Sequence, residues 1–134
     1  MLEEARARVE RLGLEHVELV EADAATFDYP DGLGRVLATF SLSMMPEPEG
    51  VITSATRALE SERRLAVVDF RIPPSGPEPI RRAAFALAAP LGETWAIAER
   101  DLRPLVRRHV TLDTDVSFYF GAAYVAAGSP HPPA

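Results

Sequence analysis

In the opening stretch MLEEARARVERLG the apolar positions Leu2, Ala5, Val9 and Leu12 are separated by glutamates and arginines. That three-to-four-residue spacing predicts an amphipathic helix, and Gly13 supplies its stop. HVELVEA (16–22) then predicts a short apolar strand. RVLATFSLS (35–43) predicts a second, its Val36, Leu37, Phe40 and Leu42 too continuous for a half-exposed edge. Helical spacing returns in PEPEGVITSATRALE (46–60), where Val51, Ile52, Ala55 and Leu59 follow a first turn of proline and glutamate. RLAVVDF (64–70) predicts the third strand, and IRRAAFALAA (80–89) a short helix. Asp101 and Pro104 suit the start of another short helix. VTLDTDVSFYFGAAYVAAG (110–128) predicts an antiparallel hairpin whose strands join near Asp113 to Asp115.

Strand, helix and strand joined by short links define an α/β chain with a parallel sheet covered by helices. One domain is expected over 1–128, followed by a flexible proline-rich tail, SPHPPA (129–134). A length of 134 residues with 47% hydrophobic content fits a single globular core. The net charge of −6 gives no basic surplus for a nucleic-acid backbone or an anionic lipid surface, so a small molecule or a protein is the expected partner. Cysteine is absent, which removes disulfides and thiolate chemistry. No apolar run approaches the ~20 residues that span a bilayer, so no stable membrane insertion is expected and a cytoplasmic location is.

Ligands of open α/β sheets bind outside the carboxyl ends of the strands. Glu21, Asp23 and Ala24 follow the first strand, Ser41 to Met44 the second, and Asp69 to Arg71 the third. These residues combine carboxylates and hydroxyls with apolar flanks, a mixture suited to a flat aromatic base. Neither a lysine nor a glycine-rich phosphate loop occurs, which excludes a Walker-type nucleotide site. Each residue also has a plainer use. Asp23 can cap a turn, Met44 and Met45 can fill the core, and Asp69 can cap the turn before Pro73. Ser41 and Ser43 have no general base at a readable spacing, and His16, His109 and His131 form no metal-ligand pattern.

Taken in order, MLEEARARVERLGLEHVELVEADAATFDYPDG, GRVLATFSLSMMPEPEGVITSATRALESERRLAVVDFR and FYFGAAYVAAG resemble the later two-thirds of a class I S-adenosylmethionine-dependent methyltransferase, most of all the quinone and phospholipid branch. The resemblance implies a Rossmann-like sheet, N-terminally truncated, with a C-terminal antiparallel hairpin. It places Asp23 and Ala24 against the cofactor adenine, with Phe40 and Ser41 flanking the cofactor. Ser43 and Met44, with Phe85 and Trp95 from the helical region, would face a small-molecule acceptor. Methyl transfer from S-adenosylmethionine to that acceptor is the implied activity. No catalytic residue and no metal are assigned, since the sulfonium is itself a strong electrophile.

Family sheets run in the order 3-2-1-4-5-7-6 and begin with a strand ending in a glycine-rich turn, which this chain lacks. Without the first two family strands, HVELVEA and RVLATFS either pair directly or leave open edges that another chain covers. Self-association through those edges, most simply as a homodimer, is therefore expected. The alternative to an enzyme is a non-catalytic, self-associating α/β remnant.

Overall fold

The structure, a computed structural model, describes residues 2–73, 75–88 and 99–131. Helix α1 (Leu2–Leu12) ends as its sequence requires. Gly13 takes a φ of +62°, its N–H donates to the Glu10 carbonyl, and the Leu14 N–H reaches back to Val9. This paired closure satisfies the last helical carbonyls at a position where a side chain would be strained.

Four strands form one sheet in the order β1-β2-β4-β3. Strand β1 (Leu33–Thr39) lies parallel to β2 (Leu59–Phe70), and regular pairing runs from Arg35↔Arg64 to Thr39↔Val68. Helix α2 (Pro48–Ala58) crosses between them, with Pro48 in its first turn, where the missing N–H costs nothing. Helices α3 (Glu78–Ala88) and α4 (Arg103–His109) lead to β3 (Val110–Phe118) and β4 (Ala123–Pro130). Strand β4 inserts between β2 and β3 and runs antiparallel to both. The expected Rossmann-like sheet and closing hairpin are thus present.

Three expectations change. HVELVEA is not a strand: residues 17–23 have no ladder partner, and Val17 and Val20 are exposed. A strand exists only through a neighbour's backbone, and no described strand lies beside this segment. The hairpin turn is at Tyr119–Gly121 rather than near Asp113–Asp115. The aspartates sit within β3, beside a register shift between Leu112 and Thr114, and form ion pairs with Arg64, Arg103 and Arg107. The first residues of the expected tail belong to the sheet, and 132–134 lie outside the described residues. Ser129 and Pro130 pair with Thr111 and Val110, and the His131 N–H donates to the His109 carbonyl.

The core lies on one face of the sheet. Leu65 and Val67 of β2 pack with Val51 and Ile52 of α2, Val106 of α4, and Tyr124 and Ala126 of β4. Tyr124 is fully buried, and its hydroxyl accepts from the Leu102 N–H at 3.3 Å. Burial pushes the phenol up to about 12 from 10.0. The unfolded chain loses this proton near pH 10 and the folded chain near 12, so stability holds below 10 and falls as the pH rises through that window. With no lysine to titrate alongside it, we expect an alkaline loss of about 2–3 kcal/mol from this group in chemical unfolding, and a correspondingly smaller loss in Tyr124→Phe. Among the described residues no helix is long and apolar enough to cross a membrane.

Candidate functional site

β1 ends abruptly. Phe40 adopts a φ of +50°, and the chain turns into a short 3-10 segment, Leu42–Met44. Leu42 and Ser43 are buried there, whereas Met44 is exposed. Beside the strand lies a cavity of about 280 Å³. Residues 36–39, Ala24 and Tyr29 line it together with Leu42, Met45, Leu65 and, from α2, Val51, Ile52 and Ala55. Ser41 also lines it. The walls are mostly apolar, and the polar side chains among the lining are those of Tyr29, Thr39 and Ser41.

The Tyr29 hydroxyl donates to the Ala24 carbonyl at 3.2 Å and so fixes the wall opposite β1. Burial raises the pKa of this phenol, which stays a donor across the neutral range. Asp23 holds the same loop from its other side. One carboxylate oxygen accepts from the Ala25 N–H at 2.9 Å, and its carbonyl accepts from the N–H groups of Thr26 and Phe27. This is an aspartate-stabilised turn with an exposed carboxylate.

Asp69 governs the floor. Although only 1% exposed, it accepts from the Ser43 N–H at 3.0 Å and the Ser43 hydroxyl at 2.8 Å, and from the Phe70 N–H at 2.9 Å. From the opposite side Arg100 donates to the Met45 carbonyl at 2.8 Å and the Ser43 carbonyl at 3.4 Å. The segment after β1 is therefore clamped by an anion at the Ser43 N–H and hydroxyl and by a cation at the Ser43 and Met45 carbonyls. Arg71, two residues beyond Asp69, donates to the Gly121 carbonyl at 2.9 Å and pairs with Asp101. Burial alone would raise the Asp101 carboxyl, but hydrogen bonds from Arg103 and the charge of Arg71 outweigh it and hold the group below its ordinary value. The hairpin turn is thus tied to the end of β2.

The structure brings Ala24 and Ser41 to one cavity, whereas Asp23 is not among the residues that line it. Phe40 does not join them, because its ring stacks on Phe70 with centroids 4.3 Å apart. The Ser43 hydroxyl is committed to Asp69, and Met44 does not line the cavity. Phe85 is half-buried on α3, and Trp95 lies outside the described residues. Sequence reasoning missed Tyr29 and Arg100. Tyr29 was legible as an aromatic in a turn with an apolar flank, but its acceptor is a carbonyl five residues earlier, which no motif marks. Among the described residues no group of histidines and carboxylates could hold a metal.

A parallel pair with a crossover helix, an antiparallel closing hairpin and a cavity at the strand end define a class I S-adenosylmethionine-dependent methyltransferase-like fold. In sequence the chain is similar to one phospholipid methyltransferase. Over 79 residues it is 38% identical to phosphatidylethanolamine N-methyltransferase of Cereibacter sphaeroides, a match covering 58% of this chain and 39% of that protein. The chain thus spans about two-fifths of that curated relative. Among solved structures, the PH0226 protein of Pyrococcus horikoshii OT3 superposes with a TM-score of 0.72 over 98% of this chain and 69% of its own, at 13% identity. The N-methyltransferase NodS of Bradyrhizobium japonicum WM9, solved with S-adenosyl-L-homocysteine, superposes with a TM-score of 0.61 at 10% identity over 91% of this chain and 59% of its own. No protein-family profile matches the chain.

The residues present fit part of the cofactor. The apolar wall at Ala24 and the hydroxyl of Ser41 would suit the flat adenine of S-adenosylmethionine. The eight glycines are scattered singly, so no glycine-rich turn offers N–H groups to the methionine end.

Proposed function

We propose that the cavity beside β1 holds the adenine end of S-adenosylmethionine, and that the domain serves methyl transfer to a small-molecule acceptor. The observation that carries this reading is the convergence of Ala24 and Ser41, from segments distant in sequence, on one apolar cavity at the carboxyl end of β1. When bound, the cofactor supplies an electrophilic methyl group, and the protein's task is to align the reactants and exclude water. Here Tyr29 would fix the Ala24 wall, while Asp69 and Arg100 would hold the segment after β1 in place. The exposed Met44 beside that segment would face the acceptor. The amine phospholipid in the name of the Cereibacter sphaeroides relative makes phosphatidylethanolamine the first acceptor to try.

A second reading, a non-catalytic self-associating domain, is favoured by the missing glycine-rich turn. Calorimetric titration with S-adenosyl-L-homocysteine separates the two. The methyltransferase reading expects saturable, roughly one-to-one heat that is lost in Ala24→Phe, where the new ring fills the adenine wall. The absence of heat at millimolar ligand would favour the non-catalytic reading.

A further inference from the structure

Strand β1 stands at the end of the sheet order, so among the described strands only β2 pairs with it and its other edge carries no ladder. The cavity lies along that free edge. Consecutive side chains of a strand point to opposite faces, yet residues 36–39 all line the cavity. The surface these residues share, away from β2, is the outer edge of the strand.

Backbone groups alternate between the two edges as side chains alternate between the two faces. The Phe40 N–H donates to the Val68 carbonyl at 2.8 Å, which continues the register that pairs Ala38 with Val67 and Thr39 with Val68. The N–H and C=O groups of Val36 and Ala38 therefore face β2, and those of Leu37 and Thr39 face outward. Along the edge the Leu37 carbonyl is followed by the Thr39 N–H, an acceptor and then a donor. No described residue bonds to either group.

Side chains around the cavity offer little that could tell one base from another. Asp23 does not line it, and the Tyr29 hydroxyl is committed to the Ala24 carbonyl. The Thr39 and Ser41 hydroxyls can donate or accept, so they adapt to either chemistry. A main-chain carbonyl only accepts and a main-chain N–H only donates, so this pair cannot adapt.

We propose that β1 reads the adenine through its main chain, the Leu37 carbonyl accepting from the 6-amino group and the Thr39 N–H donating to ring N1. This rests on the reading that the cavity holds the adenine end of the cofactor. Adenine presents that donor and acceptor side by side, in the order complementary to the strand. Hypoxanthine reverses both, with a carbonyl in place of the amino group and a proton on N1. The Leu37 carbonyl would then oppose an oxygen, and the Thr39 N–H another N–H.

Calorimetry of the full chain with S-adenosyl-L-homocysteine and with S-inosyl-L-homocysteine tests this without any substitution. The inosyl compound is expected to bind about a hundredfold more weakly, or worse. Thr39→Pro removes the N–H at an edge position where no ladder bond is lost. It is expected to weaken S-adenosyl-L-homocysteine about tenfold and to narrow its advantage over the inosyl compound. In the labelled wild-type chain the Thr39 amide proton should move downfield on saturation. Equal affinities for the two compounds, or a Thr39 amide that stays still while those of Ala24 and Ser41 move, would overturn the main-chain assignment and leave the cavity as the cofactor site. No binding of either compound would overturn the cofactor reading itself, and this assignment with it.

Discussion

Replacing Asp69 with alanine is expected to cost about 4 kcal/mol of folding stability, read as a fall of roughly 2–3 M in the urea midpoint. The carboxylate accepts three hydrogen bonds in a buried setting, two from Ser43 and one from the Phe70 N–H. Truncation leaves the buried Ser43 N–H and hydroxyl and the part-buried Phe70 N–H without their acceptor, and each buried group so left costs about 1–3 kcal/mol. A domain whose whole stability is about 5–15 kcal/mol would lose a large share of it. Asp69→Asn should cost about half as much, because one oxygen remains and the Ser43 hydroxyl can turn to accept. Ser43→Ala should cost about 1 kcal/mol, and the double variant less than the sum, since both changes break the same contact. Additive costs across that cycle would show that the two side chains do not act together.

Gly128→Ala is expected to be comparably damaging for a different reason. A Cβ built at Gly128 would lie 2.0 Å from the Thr111 carbonyl oxygen, 2.7 Å from its carbon and 2.9 Å from the Leu112 Cα. All three are backbone atoms of β3, so no rotamer change relieves the clash. β3 must shift from β4 beside the existing irregularity at Leu112 and Thr114. We expect a loss of about 3 kcal/mol or more, with early hydrogen exchange at the β3 amides. Gly50→Ala is the control. Gly50 lies in α2, and nothing comes within 4 Å of its added Cβ, so this change should stabilise by about 0.5–1 kcal/mol. Equal effects at the two glycines would contradict the close approach of β3 and β4.

Elements fixed by local chemistry were legible. Gly13 stops α1, Pro48 opens α2, and RLAVVDF coincides with the part of β2 that pairs regularly. What depends on a distant neighbour was not. HVELVEA has strand chemistry but no ladder partner among the described residues, so its pattern alone could not make it a strand. The aspartates at 113 and 115 read as a turn because their arginine partners lie elsewhere, while Gly121 carried the weaker but correct turn signal with a φ of +87°. The site divides similarly. The turn that Asp23 makes with Ala25 is local and was readable, whereas the Ser43–Asp69 bond spans 26 positions and removes a hydroxyl otherwise free for a ligand. Phe40, expected near the cofactor, has a positive φ, and its ring stacks on the distant Phe70.

Amide chemical-shift mapping of the isotopically labelled chain during titration with S-adenosyl-L-homocysteine tests the cofactor site most directly. Saturable shifts centred on Ala24, Ala25, Ser41 and Leu42, with little change in β3, are the predicted result. Saturation without shifts at those amides, or no response at millimolar ligand, would contradict the assignment of the cavity beside β1 as the cofactor site.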